Sequence, residues 1–93
     1  MGDSISLAFL GYGYWGRNVL RTLMREPRAS VKWACDVSPA HAARLQDDYP
    51  ALAVTTDYLR AMADPAVQAV VLATPAETHG PLARAALDLG KHV

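Results

Sequence analysis

Gly11-Tyr12-Gly13-Tyr14-Trp15-Gly16 is a G-x-G-x-x-G run. Glycines at that spacing can hold a pyrophosphate if they join a strand to a helix. The first allows a tight turn out of the strand, the second leaves bare backbone for the phosphates to approach, and the third lets the helix come close to the sheet. Amides at the helix start then face the negative charge, assisted by the helix dipole. Asp36 stands twenty positions after Gly16, where a carboxylate can accept hydrogen bonds from both hydroxyls of an adenosine ribose. A 2′-phosphate would meet that carboxylate, and no Arg follows Asp36 within the next several residues, which favours NAD over NADP. The plainer reading makes the glycines an ordinary turn and Asp36 a strand-end residue.

A second loop, Ala73-Thr74-Pro75-Ala76-Glu77-Thr78-His79, follows an apolar run. Pro75 stiffens it, and Thr74 offers a hydroxyl and backbone groups to a ribose or a nicotinamide. His79 invites an acid-base role, but a histidine near a helix start is also well suited to hydrogen-bond nearby backbone, the reading preferred here. Trp15 falls on the inward side of its helix by periodicity and reads as core, although its indole N–H can reach phosphates; Tyr14 is equally ambiguous. Glu77 reads as solvated, Cys35 as inert packing, and His41 and His92 have no partner that makes them ligands.

The elements that must position these residues alternate. Ile5–Leu10 reads as a strand and residues 14–26 as a helix stopped by Pro27. On that helix Arg17, Arg21 and Arg25 recur every four residues, as a solvated face does; an anion-binding stripe is the rival reading. Val31–Cys35 reads as the second strand, and Pro39 to about Asp48 as a helix with Ala42, Leu45 and Tyr49 inward. Leu52–Val54 is a weak third strand, Asp57 caps a short helix through Met62, and Ala69–Ala73 is an apolar strand covered on both faces. Leu82, Ala85, Ala86 and Leu89 mark the last helix, which Gly90 ends. Lys91-His92-Val93 then opens another strand. This order predicts an α/β fold, a Rossmann-type doubly wound parallel sheet in three αβα layers, with its ligand site between the first and fourth strands.

Nine basic residues balance nine acidic ones, which argues against a nucleic-acid groove or a polybasic membrane patch. With 52% apolar and 19% charged residues the chain is expected to fold around a core. One cysteine makes neither an internal disulfide nor a zinc site, and a six-residue apolar run near the start is too short for a signal peptide or a membrane span. A cytoplasmic location is therefore expected. Met1-Gly2-Asp3-Ser4-Ile5-Ser6 fits a loose N-myristoylation pattern, against the strand that Ile5 opens.

Gly11 through Asn18, Asp36, Ala73-Thr74-Pro75 with His79, and Ala85-Ala86-Leu87 through Gly90-Lys91-His92-Val93 together resemble the glucose–fructose oxidoreductase/inositol dehydrogenase family (Gfo/Idh/MocA). The resemblance covers almost the whole chain. It implies an N-terminal domain that binds NAD or NADP, with Gly11, Tyr12, Gly13, Tyr14, Trp15, Gly16, Asp36, Thr74, Pro75 and His79 as cofactor-contact residues. It also implies oxidation or reduction of a sugar, cyclitol or related polyol, held by a C-terminal α/β domain whose open sheet often forms a homo-oligomer interface. In such proteins a Glu-Lys-Pro lysine, following the stretch matched by Lys91-His92-Val93, assists proton transfer, commonly with a histidine of the second domain. Neither lies within these residues, so residues 1–93 are expected to be an incomplete dinucleotide-binding domain, binding cofactor without turning over substrate. The Tyr-Trp-Gly-Arg-Asn run looks like the branch acting on nucleotide-linked amino sugars. Two rivals remain: a methyltransferase binding S-adenosylmethionine, and a non-catalytic module that senses NAD.

Overall fold

The computed structural model describes residues 4–93; Gly2, on which the acylation pattern depends, lies outside them. Strand β1 (Ile5–Leu10) alternates its buried side chains between two faces: Ala8 and Leu10 toward one cluster, Phe9 toward the other. It is flanked by β2 (Ala29–Cys35) and β4 (Ala69–Leu72), with β3 (Ala53–Thr55) outside β2, all parallel in the order β3-β2-β1-β4. Helices α1 (Tyr14–Met24) and α2 (Pro39–Asp48) follow β1 and β2, and α3 (Tyr58–Met62) and α4 (His79–Asp88) follow β3 and β4. Phe9, Leu20, Ala34 and Leu45 form the core beneath α1 and α2, and Ala8, Leu10, Cys35, Met62, Val70 and Ala86 form the one beneath α3 and α4. The layers are those of the expected doubly wound sheet, and the strand order reverses between β1 and β4.

The differences from expectation are local. Helix α1 stops at Met24, because Arg25 and Glu26 already bond three residues back, to Thr22 and Leu23. A residue before proline is pushed out of helical geometry, so Pro27 acts upstream of itself. Strand β2 begins two residues earlier than expected and carries a bulge: Leu7 pairs with Val31 but Ala8 with Trp33, skipping Lys32. The extra residue turns Val31 and Trp33 to opposite cores, although their even spacing would put them on one face.

Trp15 is not core. It is 73% exposed, and the inward face of α1 is Gly16, Leu20 and, half-buried, Leu23. Leu89 also leaves its expected face, since it lies past the last residue of α4 and is exposed. In β4 Val70 is buried while its neighbours are half-covered. That strand meets the last residues through a single bridge, Ala69 to His92, so among the described residues its outer edge has no full neighbouring strand. Lys91 reinforces this corner, its Nζ donating to the carbonyls of Asp64 (2.9 Å) and Val67 (2.6 Å). No helix of the described residues is long and apolar enough to cross a membrane.

Candidate dinucleotide site

Gly11 occupies the point where the sheet order reverses. Its φ of +105° is open to glycine at little cost, and a Cβ there would stand 2.5 Å from the carbonyl oxygen of Ala73 at the end of β4. The chain then crosses to Gly13, which caps α1 without a side-chain hydrogen bond, and no acidic residue occupies the first turn. The amides of Tyr14, Trp15 and Gly16 consequently open the helix with no acceptor among the described residues. A Cβ on Gly13 would meet nothing within 4 Å. Bare backbone, free amides and an uncompensated dipole thus converge on open space, the arrangement an anionic phosphate fits.

That space is a cleft of about 750 Å³ across the carboxyl ends of the strands. Eight of the ten expected residues line it: Gly11, Gly13, Tyr14, Trp15, Asp36, Thr74, Pro75 and His79. Gly16 lies beneath the loop, where a Cβ would stand 2.0 Å from the carbonyl oxygen of Gly11; its absent side chain serves packing. The Tyr12 side chain faces away, buried in the α1–α2 core with its hydroxyl 2.5 Å from Asp48 Oδ2. Burial and the Asp48 carboxylate push the Tyr12 phenol well above its ordinary range, which keeps it a hydrogen-bond donor. Tyr12 contributes to the site through its backbone.

Asp36 is 7% exposed. Its Oδ2 accepts from the Tyr12 amide at 2.7 Å and its Oδ1 from the Ser38 amide at 2.8 Å. The carboxylate is thus held rigidly at the edge of the cleft, with part of its acceptor capacity left over. Val37, Ser38, His41 and Tyr58 complete this end. His41, given no partner by sequence reasoning, has Nδ1 3.1 Å from Asp36 Oδ2; facing a carboxylate, that nitrogen carries the proton. The available signal was Ser38-Pro39, a helix start that sets His41 within its first turn, where the Ser38 hydroxyl accepts the His41 amide.

At the opposite end Thr74 is buried, and its Oγ1 lies 2.6 Å from Thr78 Oγ1, itself 2.6 Å from the Pro75 carbonyl. His79 Nε2 donates to the Thr74 carbonyl at 2.7 Å, the backbone role its position suggested, and Nδ1 is left without that partner. Glu77 is exposed. Cys35 is fully buried, and burial pushes its thiol up to about 12, so it is unreactive packing. Arg21 and Arg25 are exposed, while Arg17 and Arg21 border a separate groove on the far side of the loop with Tyr12, Asn18 and Asp48. Among the described residues no three His, Cys, Asp or Glu side chains cluster to hold a metal.

Comparison with known proteins agrees with this geometry. Residues 5–93 match the oxidoreductase family with an NAD-binding Rossmann fold, Gfo/Idh/MocA. Inositol 2-dehydrogenase of Rhodococcus jostii (strain RHA1) is 38% identical over 92 residues, 98% of this chain and 25% of that protein. The crystal structure of GenD2 from gentamicin A biosynthesis, in complex with NAD, superposes with a TM-score of 0.87 at 32% identity, over 98% of this chain and 26% of that one. Biliverdin reductase from Synechocystis sp. PCC 6803, with biliverdin and NADP+, does so at 0.86 and 26% identity, over 96% and 28%. The chain spans about a quarter of the length of the curated relatives it matches. Matched over residues 5–93, with a glycine loop, a strand-end aspartate and a reversal point in its own fold, the chain belongs to the Gfo/Idh/MocA oxidoreductase family, as its NAD-binding Rossmann-fold portion.

Proposed function

We propose that this chain is the cofactor-binding part of an oxidoreductase that moves a hydride between a nicotinamide dinucleotide and a hydroxyl-bearing carbon of a sugar, cyclitol or nucleotide-linked sugar. The observation that carries the reading is the opening of α1, where Gly13 leaves bare backbone and unpaired amides facing a cleft that Asp36 closes at the other side. When bound, the dinucleotide supplies the hydride acceptor or donor. Gly11 and Gly13 bring backbone to the pyrophosphate, Asp36 accepts from the adenosine ribose, and Thr74 and Pro75 border the nicotinamide half. Tyr14 and Trp15 flank the loop at the mouth of the cleft.

NAD is preferred over NADP in this reading, since the Asp36 carboxylate repels a 2′-phosphate and no Lys or Arg lines the cleft among the described residues. The substrate sheet, with a histidine of the acid-base pair, belongs to a further domain of the whole protein, and the partnering lysine to the stretch that follows Lys91-His92-Val93, in keeping with relatives about four times as long; that further domain also suits a homo-oligomer interface. The lone buried Cys35 suits a reducing, cytoplasmic compartment. Calorimetric titration of the 93-residue chain with NAD, NADP and S-adenosylmethionine tests the reading. NAD binding ahead of the other two is expected; a folded chain indifferent to all three would overturn it.

A further inference from the structure

We propose that His41 is a specificity-determining residue for the dinucleotide: neutral, it joins Asp36 in favouring NAD, and protonated, it admits the 2′-phosphate of NADP. The inference rests on the reading of the cleft as a dinucleotide site. Its basis is the shared oxygen. Asp36 Oδ2 takes the Tyr12 amide on one side and His41 Nδ1, at 3.1 Å, on the other, while Oδ1 takes the Ser38 amide. A carboxylate has about four acceptor positions, so three are occupied and a ribose with two hydroxyls must displace the imidazole. The His41 side chain is 48% exposed on the first turn of α2 and has room to swing aside. Displaced, it remains on the cleft lining next to the carboxylate that takes the ribose.

Charge decides what happens there. Lys and Arg are absent from the cleft lining among the described residues, and Arg44, one turn along α2, does not reach it. The titratable groups that share the cleft with His41 are Asp36 at the end of β2, Tyr14 on α1, Tyr58 on α3 and His79 on α4. Tyr14 and Tyr58 supply no cation, and Asp36 supplies the opposing anion. His79 is engaged with the Thr74 carbonyl at the other end. His41 is thus the group at the ribose end, among the described residues, whose side chain is able to carry positive charge. Protonation has two consequences of opposite sign. It tightens the hold of His41 on Asp36, which weakens NAD, and it offers a charged donor to a 2′-phosphate, which strengthens NADP.

The test is calorimetric titration of the chain with NAD and NADP at about pH 5.5 and about pH 8.5, on either side of ordinary histidine titration. The wild-type preference for NAD over NADP is expected to shrink about tenfold at the lower pH, the worth of one charge-assisted hydrogen bond. His41→Gln retains a smaller drift, from the protonation of the phosphate itself, and His41→Arg holds a reduced preference at both pH values. His79→Gln, whatever it does to overall affinity, keeps the wild-type drift. A His41→Gln chain that drifts like wild type, or a His79→Gln chain that loses the drift, would overturn the assignment while leaving the dinucleotide site intact. Absence of NAD binding by wild type at both pH values would remove the site and His41's role with it.

Discussion

The amide of Tyr12 donates to Asp36 Oδ2 at 2.7 Å, tying the glycine loop to the end of the neighbouring strand. The two parts of the dinucleotide motif are therefore one hydrogen-bonded unit before any ligand arrives. Asp36→Ala leaves the buried Tyr12 amide without an acceptor and frees that of Ser38. It is expected to destabilise the fold by about 1–3 kcal/mol and to weaken NAD about tenfold or more, through loss of a charged acceptor. Thermal unfolding and calorimetry below the transition measure the two effects separately. An unchanged NAD affinity would remove Asp36 from the ribose site.

Gly13 and Gly16 separate binding from stability. Gly13 has a negative φ and open space around its missing Cβ, so Gly13→Ala is expected to fold with near-wild-type stability while its methyl group obstructs the phosphates. In Gly16→Ala the methyl would stand 2.0 Å from the carbonyl oxygen of Gly11. Backbone cannot rotate aside as a side chain does, so α1 must shift, at a cost of about 1–3 kcal/mol or more. Denaturant midpoints beside NAD affinities check this; equal loss of stability in both variants would contradict it.

What was legible in the residues followed from what is local. Asp57 caps α3 through the amides of Leu59 and Arg60, Ser38-Pro39 opens α2, and Gly90 ends α4 with φ +77°; each is a short-range demand on backbone chemistry. Trp15 leaves the apolar face that periodicity suggests because Gly16 and Leu20 occupy that face. Gly16, the glycine that lets α1 approach the sheet, takes the inward position against the Gly11 carbonyl and turns its neighbour Trp15 outward. Tyr12 likewise crosses the layer to Asp48, thirty-six residues away, and His41 acquires its partner when β2 and α2 are set at their observed angle. The Lys32 bulge, which turns Trp33 toward Asp64 (Nε1 to Oδ2, 2.9 Å), has no signature in composition.

The two tryptophans report on different places. Trp15 lies at the cleft, edge-on to Tyr14 with ring centroids 5.7 Å apart. Trp33 is bonded to Asp64, has the Arg60 guanidinium 5.5 Å from its ring centroid, and does not line the cleft. Dinucleotide binding is therefore expected to change the emission of Trp15. Trp15→Phe abolishes the change and Trp33→Phe preserves it; the reverse outcome would place the ligand elsewhere.

Cys35 makes stability depend on alkaline pH. Burial, followed by the charges of Asp57 and Asp36, raises its thiol from 9.0 to about 12. The folded state thus keeps a proton that the unfolded chain releases, so the contribution is fully present below about pH 9 and is lost as pH rises toward 12. The slope for one such group is about −1.4 kcal/mol per pH unit. Tyr12 and Tyr58 are raised from 10.0 by burial as well, so their losses have the same sign and begin about one unit higher. In Cys35→Ala the decline that starts near pH 9 is expected to disappear, leaving the one that starts near pH 10, as followed by denaturant unfolding across the alkaline range. The native thiol is also expected to resist an aromatic disulfide reagent until the chain unfolds. Rapid labelling under native conditions would mean that the strand end carrying both Cys35 and Asp36 opens readily, and with it the Asp36 side of the cleft.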